Sequence, residues 1–332
     1  MVIIESYPLA VALCLVTMLC WGSWANTQKL AGKEWRFQLF YWDYAIGVLL
    51  LSLIMAFTAG SYGIYGRPFL ADLTQASASA IGFALLGGVI FNLSNILFVA
   101  AIDIAGMAVA FPIAVGLALI IGVITNYISR PEGNPVLLFL GLLGVVIAIL
   151  LDAAAYKRLS ADRKETSKGV CISIVSGIAM GFFYRFVVKA MVVNFAHPAQ
   201  GLMTPYTAVV FFSVGLLLSN FVFNSIVMAK PFTGKPVSYR DYFKGNPGLH
   251  LIGILGGVIW NTGMSTSIIA SGAAGPAISY GLGQGATMVA ALWGVFIWRE
   301  FQKAPKGTNR LLTLMFLSFI IGLGLIIAAR LA

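Results

Sequence analysis

Apolar residues run along this chain in long blocks separated by short polar stretches. A half-buried strand would alternate every second residue, and a soluble helix would carry one apolar stripe. These blocks are instead apolar on every side for about 20 residues, the length a helix needs to cross a hydrocarbon core of roughly 30 Å. Ten can be marked, at 5–27, 38–60, 78–100, 104–128, 135–156, 169–191, 203–228, 250–271, 274–298 and 309–331. The pattern predicts an all-α membrane protein of ten transmembrane helices, because helices are the open-chain structure that satisfies its own backbone hydrogen bonds in lipid. The connections left over are too short for a separate soluble catalytic domain.

Composition agrees, with 60% hydrophobic and 10% charged residues and a mean hydropathy of +0.93. The formal charge of +10 matters through its placement. Sixteen of the 21 Lys and Arg fall in odd-numbered connections: Lys29, Lys33, Arg36; Lys157, Arg158, Arg163, Lys164, Lys168; Lys230, Lys235, Arg240, Lys244; Arg299, Lys303, Lys306, Arg310. This is the positive-inside pattern. It predicts a multi-pass protein of the plasma (inner) membrane with the odd connections in the cytoplasm and both termini outside, and it explains the charge without nucleic acid. Cys14, Cys20 and Cys171 have no paired spacing and read as small apolar residues, not as a metal or redox set. The first block follows no basic region and precedes no cleavage site, so it is expected to stay in the membrane.

The basic run at 157–168 divides the chain into five blocks on each side, giving repeats at 1–156 and 169–332 joined by a cytoplasmic linker. Residues 86–130 align without a gap on 255–299, with 13 of 45 positions identical. The matches concentrate in Leu86-Gly87-Gly88-Val89-Ile90-x-Asn92 against Leu255-Gly256-Gly257-Val258-Ile259-x-Asn261. Repeats of five spans each enter the membrane in opposite senses, so a 5+5 inverted-topology repeat is expected. Such repeats serve alternating access in secondary transporters; the alternative is a stable bundle in a receptor or scaffold.

Several short motifs occur in order: Trp21-Gly22-Ser23-Trp24, Tyr41-Trp42-Asp43-Tyr44, Gly87-Gly88-Val89 leading to Asn95, Gly122 with Asn126-Tyr127, Tyr206-Thr207-Ala208 with Phe211-Phe212-Ser213, and Trp293-Gly294 leading to Glu300. In these the chain resembles the ureide permease family of the drug/metabolite transporter superfamily. The resemblance implies a proton-coupled carrier of allantoin, uracil or related nitrogen heterocycles; sibling families carry glucose, ribose or rhamnose. Plant members have a long central loop with a phosphate-loop-like motif. Here the loop is about a dozen residues and no G-x-x-x-x-G-K-[ST] occurs, which points away from nucleotide as the energy source. No cofactor is expected.

Asp43 lies a few residues into the second block, where a carboxylate must be paired, hydrated or protonated. It is the candidate for proton coupling, the alternative being an interfacial residue paired with Arg36. Arg185 and Lys189 share a face of the sixth block; Arg185 is a candidate counter-charge to Asp43, a solute ligand, or half of an interfacial anchor with Lys189. Trp21 and Trp24 offer an aromatic wall for a flat ring or a sugar face, unless they form an interfacial belt. Tyr280, Gln284 and Thr287 make a polar stripe in which Gln284 suits the amide edge of a heterocycle. Asn95, which the repeat does not match, is a solute candidate, as is Tyr206. Asn92, Asn261, Gly87, Gly88, Gly256 and Gly257 repeat in place and read as packing positions. His197 and His250 sit near block ends and read as interfacial. No catalytic set or metal cluster is present in the sequence. The expectation is thus an importer of a small polar solute and protons in a lipid bilayer, with a homodimer open. A sugar importer and a metabolite or drug exporter are the alternatives.

Overall fold

The computed structural model describes residues 1–32, 34–159 and 167–332; Lys33, Arg163, Lys164 and residues 160–166 of the expected linker lie outside the described residues. Ten helices are long and apolar enough to cross a membrane. They are α1 (Tyr7–Ala31), α2 (Phe37–Phe57), α3 (Ala78–Ala105), α4 (Val109–Ser129), α5 (Pro135–Leu159), α6 (Ser167–Ala190), α7 (Pro205–Ala229), α8 (Pro247–Ala274), α9 (Pro276–Ile297) and α10 (Thr308–Ala328). Among the described residues there is no strand. The expected spans are all present, with ends displaced by a few residues. The first runs on past 27 to Ala31 because its polar end is tied to the helix, Asn26 Nδ2 donating to Ser23 O (3.0 Å) and Thr27 Oγ1 to Trp24 O (2.6 Å).

In lipid there is no hydrophobic drive between helices, so close backbone approach has to come from small residues. The structure uses glycine against carbonyl. A Cβ at Gly88 of α3 would overlap the Phe212 carbonyl of α7, and one at Gly215 of α7 would overlap the Leu85 carbonyl of α3. In a second pair of the same kind, Gly257 of α8 meets the Tyr44 carbonyl of α2, and Gly47 of α2 meets the Ile254 carbonyl of α8. Buried asparagines bridge the same pairs: Asn92 Nδ2 donates to Ser219 Oγ of α7 (2.9 Å), and Asn261 Nδ2 to the Val48 carbonyl of α2 (2.9 Å). Gly87 packs against Phe183 and Val187 of α6, and Gly256 against Thr27 of α1. The α3–α4 and α8–α9 hairpins each turn on a glycine of positive φ, Gly106 (81°) and Gly275 (83°), a conformation open to glycine at no steric cost.

Two further pairs form arms around the centre. Gly22 of α1 seats against Ala286 and Val289 of α9, and Gly177 and Gly181 of α6 seat against Ala114, Ala118 and Ile121 of α4. Short helices lie in the α2–α3 connection (Phe69–Gln75) and the α7–α8 connection (Tyr239–Phe243). Asp72 of the first is buried, paired with Arg67 (3.0 Å), and its Oδ2 accepts the Thr204 amide at the start of α7 (2.7 Å). Asp72→Ala should therefore leave Arg67 and that amide without their acceptor, costing about 3 kcal/mol or more, read as a lower melting temperature in detergent.

Candidate functional site: an aromatic cavity between two arms

A cavity of about 180 Å³ lies between the α1/α9 arm and the α4/α6 arm, with α3 and α8 behind it. Its walls include Trp21 and Trp24 of α1, Phe91, Asn95 and Phe98 of α3, Phe111 of α4, Phe183 of α6, Trp260 of α8, and Gln284 and Thr287 of α9. No lining side chain is charged. The lining extends from the middle of each span toward the end with the basic, odd-numbered connections.

The aromatic wall is built across sequence. Trp21 stacks on Trp260 (5.9 Å between centroids, 14°) and donates its indole N–H to the Trp260 carbonyl (3.2 Å). Phe91 packs on the same ring at 4.3 Å, and Phe212 stacks on it at 5.8 Å. Trp24 lies against Tyr44 (4.9 Å), Tyr44 stacks on Tyr41 (5.1 Å), and the Tyr41 hydroxyl accepts a hydrogen bond from Asn95 Nδ2 (3.2 Å). That bond fixes the Asn95 amide, whose oxygen makes no hydrogen bond among the described residues.

Gln284 owes its position to a break in α9. The helix is regular to Gly283, then tightens as Gly285 N–H bonds Leu282 O (2.9 Å) and Thr287 N–H bonds Gln284 O (3.2 Å), before resuming at Ala286. Interrupted helices at mid-membrane are tolerated where they line a cavity. Gln284 and Trp24, both half-buried in the cavity wall, make no side-chain hydrogen bond to any described residue. The site thus offers flat apolar faces and two amides, and nothing that would neutralise an ion.

At the opposite end the arms meet. Tyr280 of α9 is fully buried, its hydroxyl within reach of the Ala118 carbonyl of α4 (3.2 Å) and the Met180 carbonyl of α6 (3.3 Å), and its ring over Gly122. Tyr184 of α6 reaches Ser267 Oγ (3.0 Å) and Ser279 Oγ (3.5 Å), with Ser267 and Ser279 themselves 3.1 Å apart. Tyr280 accordingly seals the cavity instead of lining it.

Of the residues singled out in the sequence, Trp21, Trp24, Asn95 and Gln284 come together in the cavity. Tyr206 stands apart near the start of α7, its hydroxyl donating to the Val2 carbonyl (3.0 Å). Arg185 is half-buried, lies outside the lining, and makes no ion pair among the described residues. Its neighbour Lys189 sits over the Phe83 ring (4.1 Å). Asp43 pairs with neither Arg185 nor Arg36. Arg36 donates to the Lys235 carbonyl, while Asp43, 1% exposed, accepts from Trp35 Nε1 (3.1 Å) and Tyr242 OH (2.6 Å) and lies 2.8 Å from His250 Nδ1. His250, read from the sequence as interfacial, is thus a direct neighbour of Asp43. Tyr242 lies outside the spans; burial, then the bond to Asp43, raises its phenol well above the ordinary value, so it remains a donor.

A ten-span helical bundle around a cavity sealed at one end is a membrane transporter, not an enzyme. The ureide permease family model matches residues 40–170 and 163–329, and the chain belongs to that family. It is 25% identical to Ureide permease 1 of Arabidopsis thaliana and 24% identical to Ureide permease 2, covering 99% of each and 99% of itself. It is also 26% identical to the glucose uptake protein GlcU of Bacillus subtilis (strain 168), over 96% of this chain and 95% of that one. A solved crystal structure with 16% identity covers 96% of both chains at a TM-score of 0.55, a likeness of fold alone.

Proposed function

We propose that this protein imports a small neutral nitrogen heterocycle, a ureide or nucleobase, by proton-coupled alternating access. The observation that carries the proposal is the uncharged aromatic cavity in which the Gln284 carboxamide has no protein partner. A half-buried amide in the cavity wall, without a hydrogen-bond partner among the described residues, is one that a cyclic imide or urea edge can engage through both its donor and its acceptor, while the ring stacks on Trp21, Trp24 or Trp260. A charged solute would enter with no counter-charge. The family adds weight through relatives named ureide permeases. A sugar is the second reading, favoured by the similarity to a glucose uptake protein and by aromatic faces that also suit C–H surfaces.

The inverted repeat is supported by partner exchange: α3 meets α7 through glycine on carbonyl, and α8 meets α2 in the same way at the equivalent residues. With the basic connections in the cytoplasm and both termini outside, the cavity faces inward and Tyr280 and Tyr184 form the outer seal. Asp43 is the proposed proton site, with His250 as the group that exchanges the proton with it. Both stand at the cytoplasmic end, where a proton would leave.

The deciding measurement is uptake by purified protein in liposomes of labelled uracil, allantoin, ribose and glucose, with and without an inward proton gradient. Uptake of a sugar alone would overturn the heterocycle. For the coupling step, Asp43→Asn and His250→Gln should abolish gradient-driven accumulation while solute exchange continues at equal pH; accumulation at the wild-type level in both would remove the pair from coupling.

A further inference from the structure

Several irregularities that the solute cavity does not use converge at the basic end of α1, α5 and α9. Asp152 of α5 is 6% exposed, its Oδ1 is fully buried with no partner, and its carboxylate forms no hydrogen bond among the described residues. One turn on, Tyr156 donates to Glu300 Oε2 (2.8 Å), placing Glu300 along the same face of α5 as Asp152. Glu300 Oε1 is held by Lys29 Nζ (2.6 Å), and Gly294 has room for nothing between Tyr156 and Glu300.

The backbone that delivers Glu300 is itself unusual. The last turn of α9, Trp293–Ile297, widens to a π-turn in which Trp298 N–H bonds Trp293 O (2.8 Å). Arg299 has φ of +53°, the single non-glycine residue with positive φ among the described residues. Wide turns and such strained conformations cost free energy and concentrate where function requires a particular placement. Here they aim Glu300 back at α5.

We infer that Asp152 and Glu300 form a binding site for one monovalent cation, a proton shared by the two carboxylates or a sodium ion, and that its occupancy controls a latch between α1 and α9. The inference rests on the reading of the chain as a cation-coupled carrier and adds a site separate from Asp43. Among the described residues no cation pairs with the buried Asp152 carboxylate, and Lys29 reaches Glu300 alone. Tyr156, one turn from Asp152 on α5, holds Glu300 from the α9–α10 connection, and Lys29 approaches Glu300 from the end of α1. A cation between the carboxylates competes with Lys29 for Glu300.

Lys29 is the last of three ties along this seam. Trp293 Nε1 donates to Ser23 Oγ (2.9 Å), Trp298 Nε1 to Asn26 Oδ1 (2.6 Å), and Lys29 both pairs with Glu300 and lies over the Trp298 ring (4.7 Å). Loss of Lys29 from Glu300 loosens the end of the arm that carries Trp21, Trp24 and Gln284.

Because Trp293 and Trp298 belong to the latch, the test reads tryptophan fluorescence of the purified full chain without any solute. It titrates sodium chloride against choline chloride at constant ionic strength, and separately titrates pH in choline. Wild type is expected to show a saturable change with one of the two cations, and the arm that responds identifies the occupant. Asp152→Asn should weaken that response by about tenfold or abolish it. Lys29→Gln, which leaves both carboxylates, should strengthen it several-fold by removing the competitor, a shift that a merely structural cluster would not give. No response to either cation, or equal responses in wild type and Asp152→Asn, overturns the site. Since no solute is present, that failure is distinct from failure of the heterocycle assignment, which the uptake panel reads.

Discussion

Gln284→Leu is expected to reduce uptake of the solute about 10- to 100-fold at low concentration, with the protein still folded and inserted. Leucine fills nearly the same volume, so the cavity keeps its shape and loses its donor–acceptor pair. A solute edge left facing that position would be buried without a partner, which costs about 1–3 kcal/mol, and each 1.4 kcal/mol is a factor of ten. The loss should fall on half-saturation more than on maximal rate, because the amide acts on bound solute. Gln284→Glu distinguishes hydrogen bonding from charge, since it keeps an acceptor and places an uncompensated charge among aromatic rings; it should fail at neutral pH at least as badly as leucine. Concentration-dependent uptake in liposomes reads both variants. Unchanged half-saturation in Gln284→Leu would take this residue out of the site and with it the main support for a heterocycle.

Gly88→Leu and Gly257→Leu are each expected to prevent accumulation of folded protein, and by similar amounts. Even a Cβ would overlap the Phe212 or Tyr44 carbonyl, and backbone cannot move aside as the end of a flexible side chain can. Overpacking by single methylenes costs about 1–3 kcal/mol, a large share of a typical stability of 5–15 kcal/mol, and leucine adds more than one such group. The measurement is yield of monodisperse protein after detergent extraction. Gly82, where an added Cβ meets nothing within 4 Å, is the control on the same helix as Gly88 and should accept alanine with normal yield. Equal sensitivity of Gly88 and Gly257 is what a repeat requires; tolerance of one and not the other would count against it.

The ten spans were legible because membrane crossing imposes a length and a composition that no other structure needs. The paired glycines were legible because they recur at one offset, and recurrence marks a position as serving the bundle. Trp21, Trp24, Asn95 and Gln284 were legible as polar or amphipathic groups deep in apolar spans. Depth alone does not give direction, however. Arg185 satisfies the same criterion and lies outside the cavity, because which side of a helix faces the centre depends on neighbours distant in sequence; Tyr206 lies outside it because it stands at the very start of α7. Phe91 and Trp260 carried no signal, being aromatic residues in apolar runs. His250 was passed over because its partner Asp43 lies 207 positions away, and the Trp35–Tyr242 bracket around the pair comes from two connections. Tyr280 shared a stripe with Gln284 but not its surroundings: the break in α9 turns one toward the carbonyls of α4 and α6 and leaves the other facing the cavity.

Glycine on carbonyl, repeated between α3 and α7 and between α8 and α2, also determines how these helices can move. Side chains that interlock behave as gear teeth, so helices meshed through them shift only by changing rotamers or jumping a whole turn. Where bare backbone rests on bare backbone there are no teeth. In the carrier we propose, these two seams, each pinned by one buried asparagine, would be the rails along which one lever swings against the other. In the proposed carrier the resistance to that swing would lie in a few hydrogen bonds, those of Asn92 and Asn261 within the seams and of Tyr184 and Tyr280 between the arms, each of about 1 kcal/mol, which a solute binding the two states unequally can offset.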